Sequence, residues 1–160
     1  MIVFVLRHAD KRRELPEVDD LTEAGVKRAV LLGRMLAETA VSVAFCSTAL
    51  RARRTLEPLK SILGDALDIR LIAIDGTHVD AIVDGVKELA ANKVVVVVTH
   101  SDTVSPIIEG LGGEAVGQLD DRVFDQLFVL SREPAAKPTL LRLRYGEPTP
   151  ARSAMAKVRR

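Results

Sequence analysis

Residues 94–99 read Val-Val-Val-Val-Val-Thr, and this run restricts the fold more than any other segment. Five consecutive β-branched side chains resist a helix, and a strand with no polar position has no face to give to water. Such a strand must lie inside a sheet covered on both sides. Ile2–Leu6 and Val41–Cys46 have the same character. Between these runs the apolar spacing changes. Val26, Ala29, Val30, Leu36 and Ala37 recur at helical intervals, and Thr22 precedes them as a side-chain cap. Leu50–Leu63 is a second helix, stopped by Gly64, and Val79–Ala91 is a third. Thr103–Leu111 is a fourth, with Pro106 in its first turn. Ile69–Ile74, Phe124–Leu130 and Leu140–Leu143 complete the strands, the last two as antiparallel neighbours at an edge.

The resulting order, β-α-β-α-β-α-β-α-β-β, implies right-handed crossovers and helices on both sheet faces. The expected fold is a three-layer α/β/α sandwich whose central sheet is mainly parallel, with an antiparallel edge strand. A core that is 48% apolar overall but only 3% aromatic suits that architecture. Residues 1–145 are read as one domain. Residues 146–160, rich in Pro, Ala and Arg and without periodicity, are read as a flexible basic tail.

Composition excludes several function classes. A net charge of +1 provides no field for nucleic acid or an anionic membrane. The longest apolar run is far shorter than the ~20 residues of a membrane helix, and no leader is legible, so a cytoplasmic protein is expected. Cys46, the sole cysteine, is expected as a buried thiol. There is no glycine-rich loop ending in Lys-Ser/Thr, no G-x-G-x-x-G and no G-x-S-x-G elbow.

In an open parallel sheet, ligands bind beyond the carboxyl ends of the strands. The first strand is followed by Arg7 and His8, the second by Ser47, Thr48 and Arg51, and the valine strand by Thr99, His100 and Ser101. The topology alone gathers two imidazoles and two guanidiniums at one sheet edge. Guanidinium forks match phosphate oxygens, and helix starts add N–H donors. A neutral imidazole can attack phosphorus, and flanking arginines resist its protonation. A second imidazole can donate to the equatorial oxygens. These parts suit phosphoryl transfer without a metal or cofactor. A metal site of His8, His78 and His100 has no ligand-like spacing, and arginines beside it would repel a cation.

Five segments carry a family resemblance. V-F-V-L-R-H-A-D-K (3–11) resembles the R-H-G/A-E signature that opens the histidine phosphatase superfamily, the phosphoglycerate mutase-like family. L-T-E-A-G (21–25), S-T-A-L-R-A-R-R-T (47–55) and V-V-T-H-S-D-T-V (97–104) are similar to further elements of that family in the same order. F-D-Q-L-F-V-L (124–130) is similar to its late edge strand. The resemblance implies a phosphatase in which His8 is transiently phosphorylated while Arg7, Arg51 and His100 form the phosphate pocket, with Lys11 at its rim. Larger members supply a glutamate acid from an inserted segment. Here no long insertion separates Ile74 from Val94, and the nearby candidates for a general acid are Asp75, His78 and Asp80. Of these, Asp75 is expected to form a turn and His78 to lie at the surface. The compact chain resembles the small phosphohistidine phosphatase branch, which implies a phosphoprotein or a phosphorylated small molecule as substrate. A catalytically weak phosphate-binding module of the same fold is the alternative.

Overall fold

The computed structural model describes residues 1–14 and 17–150. Its elements follow the expected order: β1 (Ile2–Arg7), α1 (Glu23–Ala37), β2 (Val43–Ser47), α2 (Leu50–Leu63), β3 (Asp68–Ile72), α3 (His78–Lys87), β4 (Val94–Thr99), α4 (Val104–Gly110), β5 (Gln126–Ser131) and β6 (Thr139–Arg144). They build one six-stranded sheet in the order β3-β2-β4-β1-β5-β6. The valine strand, β4, lies between β2 and β1 and is parallel to both. The β5 strand is antiparallel to β1, and β6 is antiparallel to β5, so one strand of the six opposes the rest.

Period-two alternation divides the strand side chains between two cores. Val3, Val5, Phe45, Val95 and Val97 face one side, where Ile82, Val86, Val104 and Ile108 of α3 and α4 cover them. Leu6, Ala44, Cys46, Val96 and Val98 face the other, beneath Leu32, Leu36, Leu56 and Leu59 of α1 and α2. Val95–Val98 are wholly buried, as a strand covered on both faces must be. Cys46 is a free, buried thiol on the second side.

Several element ends differ from expectation, each for a local reason. Val41 is buried but lies before β2, because Ala40 turns the chain with φ +58°. Phe124 lies before β5: its N–H and that of Asp125 donate to the Thr149 hydroxyl instead of a neighbouring strand. The third helix stops at Lys87, yet Leu89 beyond it still packs on the core. Thr22 caps α1 as expected, accepting from Gly25 N–H at 3.1 Å.

The first residues read as tail are held in place. Arg28 of α1 donates to the carbonyls of Tyr145 and Glu147, and Thr149 also donates to Asp125. Residues 151–160, the remainder of that segment, lie outside the described residues. Among the described residues no helix is long and apolar enough to cross a membrane.

α1 and α2 approach closely at Gly33. A Cβ there would lie 2.9 Å from the Leu59 nitrogen and 3.1 Å from the Pro58 Cβ. Gly33→Ala is therefore expected to lower stability by about 1–3 kcal/mol through forced separation of the two helices. Urea unfolding of the two proteins measures it, and an unchanged or raised midpoint would contradict this packing.

Candidate active site

The carboxyl ends of β1, β2 and β4 deliver the site. Register pairs Arg7 with Thr99 and Cys46 with Val98, so His8, Ser47 and His100 emerge side by side. The His8 N–H donates to the Thr99 carbonyl at 2.9 Å, extending the β1–β4 pairing one residue beyond the strand. Its ring is 2% exposed at the residue level, and Nδ1 lies 2.8 Å from the Ala9 carbonyl. A carbonyl only accepts, so Nδ1 carries the proton and Nε2 keeps its lone pair. Ala9 N–H in turn donates to Thr55 Oγ1 at 2.9 Å, and that hydroxyl donates to the Arg51 carbonyl at 2.8 Å. Thr55 thus ties the His8 turn to the helix that carries Arg51.

Arg7 is held by the loop that precedes β5. One terminal nitrogen donates to the carbonyls of Asp120 and Val123, both at 3.2 Å, and the other lies 3.6 Å from the Asp121 carboxylate. Its guanidinium stacks 4.2 Å over Phe124, whose ring also lies 6.0 Å from that of His8. Arg51 pairs with Asp19 through one terminal nitrogen and donates from the other to His100 Nδ1 at 3.3 Å. His100 must therefore carry its proton on Nε2, which donates to Ser47 Oγ at 2.8 Å. The rings of His8 and His100 lie 5.5 Å apart, edge to face.

Arg7, His8, Lys11, Arg51 and His100 line one cavity of about 550 Å³. The expected catalytic set and its rim lysine are thus brought together. A cavity of about 710 Å³ between α2 and β3 is larger, but it is lined by residues such as Leu56, Ile69 and Leu71 and holds no imidazole. Nε of Arg7 and Nε of Arg51 are buried without a hydrogen-bond partner. A buried orphan donor costs about 1–3 kcal/mol, and here two belong to guanidiniums that face one cavity.

Residues 3–73 match the family model of the histidine phosphatase superfamily (branch 1). Over these residues the chain is similar to the histidine phosphatase superfamily. Solved structures agree in fold. A protein histidine phosphatase SixA complexed with tungstate is 20% identical with a TM-score of 0.67, over 90% of this chain and 97% of that one. A candidate phosphohistidine phosphatase SixA from Agrobacterium tumefaciens is 23% identical with a TM-score of 0.66, over the same shares. The alpha-ribazole phosphatase from Shigella flexneri is 15% identical with a TM-score of 0.68, over 91% and 96%. A comparison with curated proteins finds no match.

Electrostatics at this site favour neutral imidazoles. Burial, first, and then Arg7, Arg51 and His100 push the His8 pKa down to about 2, against the bond to Ala9. Burial, followed by Arg51, lowers His100 to about 4. Burial lowers Arg7 to about 10, which leaves it charged at neutral pH. Lys11 is shifted downward by burial and then by Arg51 and Arg7.

The acid candidates fare differently. Asp75 forms the expected turn: its carboxylate accepts from Thr77 N–H and Oγ1, and these bonds hold its pKa below the ordinary value. Asp80 is exposed on α3 and does not line the cavity. The surface expectation for His78 is overturned, because the residue is 3% exposed. Its Nδ1–H donates to the Ala73 carbonyl at 2.7 Å, and Nε2 accepts from Thr99 Oγ1 at 2.9 Å. Its one proton is thus committed to the backbone. Asp19, Asp121 and Phe124 are site residues that sequence reasoning missed. Phe124 was read as strand, and the two aspartates lie in loops without periodicity.

In the unfolded chain both rings take up a proton near pH 6.5, but the folded chain resists protonation until far lower pH. The unfolded state then binds more protons, so stability is full above about pH 6.5 and falls as pH drops toward 4. The loss is up to ~1.4 kcal/mol per pH unit for each ring. NMR titration of the imidazole protons is expected to show no step for His8 or His100 between pH 5.5 and 8; a step near 6.5 in either would refute this assignment.

Proposed function

We propose that this chain is a phosphatase that passes a phosphoryl group through Nε2 of His8, without a metal or other cofactor. The observation that carries this reading is the tautomer of His8. A buried ring with Nδ1–H fixed on the Ala9 carbonyl leaves Nε2 unprotonated, in a residue that lines one cavity with two arginines.

In the first step the Nε2 lone pair forms an N–P bond while the bond from phosphorus to the leaving atom breaks, its electrons departing with that atom. In the second, water attacks the phosphorus, the N–P bond breaks, and inorganic phosphate leaves as His8 regains its lone pair. Arg7 and Arg51 offset the charge on the equatorial oxygens, and Lys11 adds a cation at the rim. An incoming oxyanion supplies acceptors for the orphaned guanidinium N–H groups. The solved SixA structure named above holds tungstate, a tetrahedral oxyanion, on the same fold. His100 orients Arg51 through Nδ1, and its own donation to the anion requires that its Nε2–H leave Ser47 Oγ.

The substrate is a phosphate monoester or protein phosphohistidine, carried by a phosphorylated small molecule or a phosphoprotein. The missing acid favours the second. An alkoxide needs a proton to leave, whereas an imidazole protonated on its other nitrogen departs neutral. Asp75 and His78 line the cavity, but the Asp75 carboxylate accepts from Thr77 and the His78 proton is given to the Ala73 carbonyl, while Asp80 does not line it. The same lack gives weight to a second reading, a phosphate-binding module that turns over poorly.

Hydrolysis of an aryl phosphate and of a phosphohistidine peptide, with chelator present, separates these readings. Wild type is expected to act on the phosphohistidine peptide faster, and His8→Ala to lose at least about three orders of magnitude on both substrates. Full activity in His8→Ala would sink the covalent route. Stabilisation of an inert wild type by vanadate, ~2.7 kcal/mol at a hundredfold excess over Kd, would establish the binding module instead.

A further inference from the structure

We infer that Asp19, on the loop between β1 and α1, is a positioning residue for the phosphate pocket, setting the Arg51 guanidinium through a carboxylate that also caps α2. The inference rests on the proposed function only in taking Arg51 as a ligand of the phosphoryl group.

The helix that carries Arg51 begins without local help. Ala49 stands at its N-cap with no side chain to offer, and its first turn holds no acidic residue. The first N–H groups of a helix have no partner within it, so one must come from elsewhere. Asp19 provides it from 31 residues away: its Oδ2 accepts from Leu50 N–H at 2.7 Å. The other carboxylate oxygen takes the NH1 group of Arg51. The NH2 group of the same guanidinium donates to His100 Nδ1 at 3.3 Å. Arg51 is thus gripped at both terminal nitrogens, by Asp19 on one side and His100 on the other. Asp20 steadies the loop, accepting from Leu21 N–H at 2.7 Å and lying 3.7 Å from Arg54.

An arginine side chain has ~2 kcal/mol of rotamer entropy to lose on being fixed. Where Asp19 has already fixed it, the anion need not. As an ion pair, the contact adds little stability, since the side chains are 22% and 38% exposed and pairs of this kind contribute about 0–1 kcal/mol. Its consequence lies in where the guanidinium points. Two other roles would use the same contacts. Asp19 could serve α2 as a cap alone, or it could compete with the oxyanion for Arg51.

Vanadate affinity, measured by calorimetry on wild type, Asp19→Ala, Asp19→Asn, Arg51→Ala and the Asp19→Ala/Arg51→Ala double variant, decides between them. Asp19→Ala is expected to weaken vanadate binding about tenfold, and to have no further effect once Arg51 is gone. Asp19→Asn keeps an acceptor for Leu50 N–H, so its Tm stays with wild type, yet it shares much of the weakened binding because the neutral amide holds Arg51 poorly. Equal or tighter binding in Asp19→Ala overturns the inference, as does an equal loss in the Arg51→Ala background. Vanadate binding does not require turnover. A wild type that binds vanadate and hydrolyses nothing removes the phosphatase reading and leaves Asp19 standing, whereas a wild type that binds no vanadate overturns both.

Discussion

The parallel pairing of β1 with β4 runs in register through six residue pairs, from Ile2 with Val94 to Arg7 with Thr99. Both strands are interior and covered on two faces, so neither can slide without carrying a whole apolar set out of its core. The register therefore decides where the chain after each strand emerges, and the His8 N–H bond to Thr99 carries it one residue further. His8 and His100 meet because two runs of β-branched residues fix their strands side by side. The strength of the site's geometry is borrowed from the core.

That placement has an electrostatic cost, which the protein accepts. His8 and His100 share one cavity with His78 and two guanidiniums, and for His8 and His100 burial adds to the repulsion a proton would meet. The rings respond by staying neutral, and each neutral ring then has a defined tautomer because its neighbours accept or donate in only one way. Ala9 offers a carbonyl to His8, while Arg51 offers a donor to His100. The cations respond through partners at the rim: Asp121 beside Arg7 and Asp19 beside Arg51. A nitrogen that stays unprotonated at neutral pH thus follows from the same charges that suit an oxyanion.

The alternation of apolar runs made the fold legible from the sequence, because each run has a period and a length that only one element satisfies. Arg7, His8, Arg51 and His100 were legible for a related reason: each follows a strand end that topology sends to the same edge. Their motifs added Ser47 and Thr55, whose hydroxyls fix His100 and join the His8 turn to α2. His78 was misread because a polar residue after a turn looks solvated. Its burial depends on the Thr99 hydroxyl and the Ala73 carbonyl, neither of which has any sequence signature as a partner.

The contacts that escaped the sequence share a physical character: they join a side chain in an irregular segment to a backbone or guanidinium far along the chain. Asp10 follows the His8 turn and takes Arg28 Nε at 2.7 Å, while the same arginine holds the carbonyls of Tyr145 and Glu147. Gly25 admits that turn, since a Cβ there would lie 2.3 Å from the Asp10 carbonyl oxygen. Asp19 reaches α2 in the same manner. Periodicity reports which face of an element is buried, but such loop contacts have no period and leave no trace in hydropathy. They nonetheless fix the loop that leaves His8 against α1 and α2 on one face of the sheet. The strands bring the imidazoles and guanidiniums to one edge, and these few long-range polar contacts decide how they point.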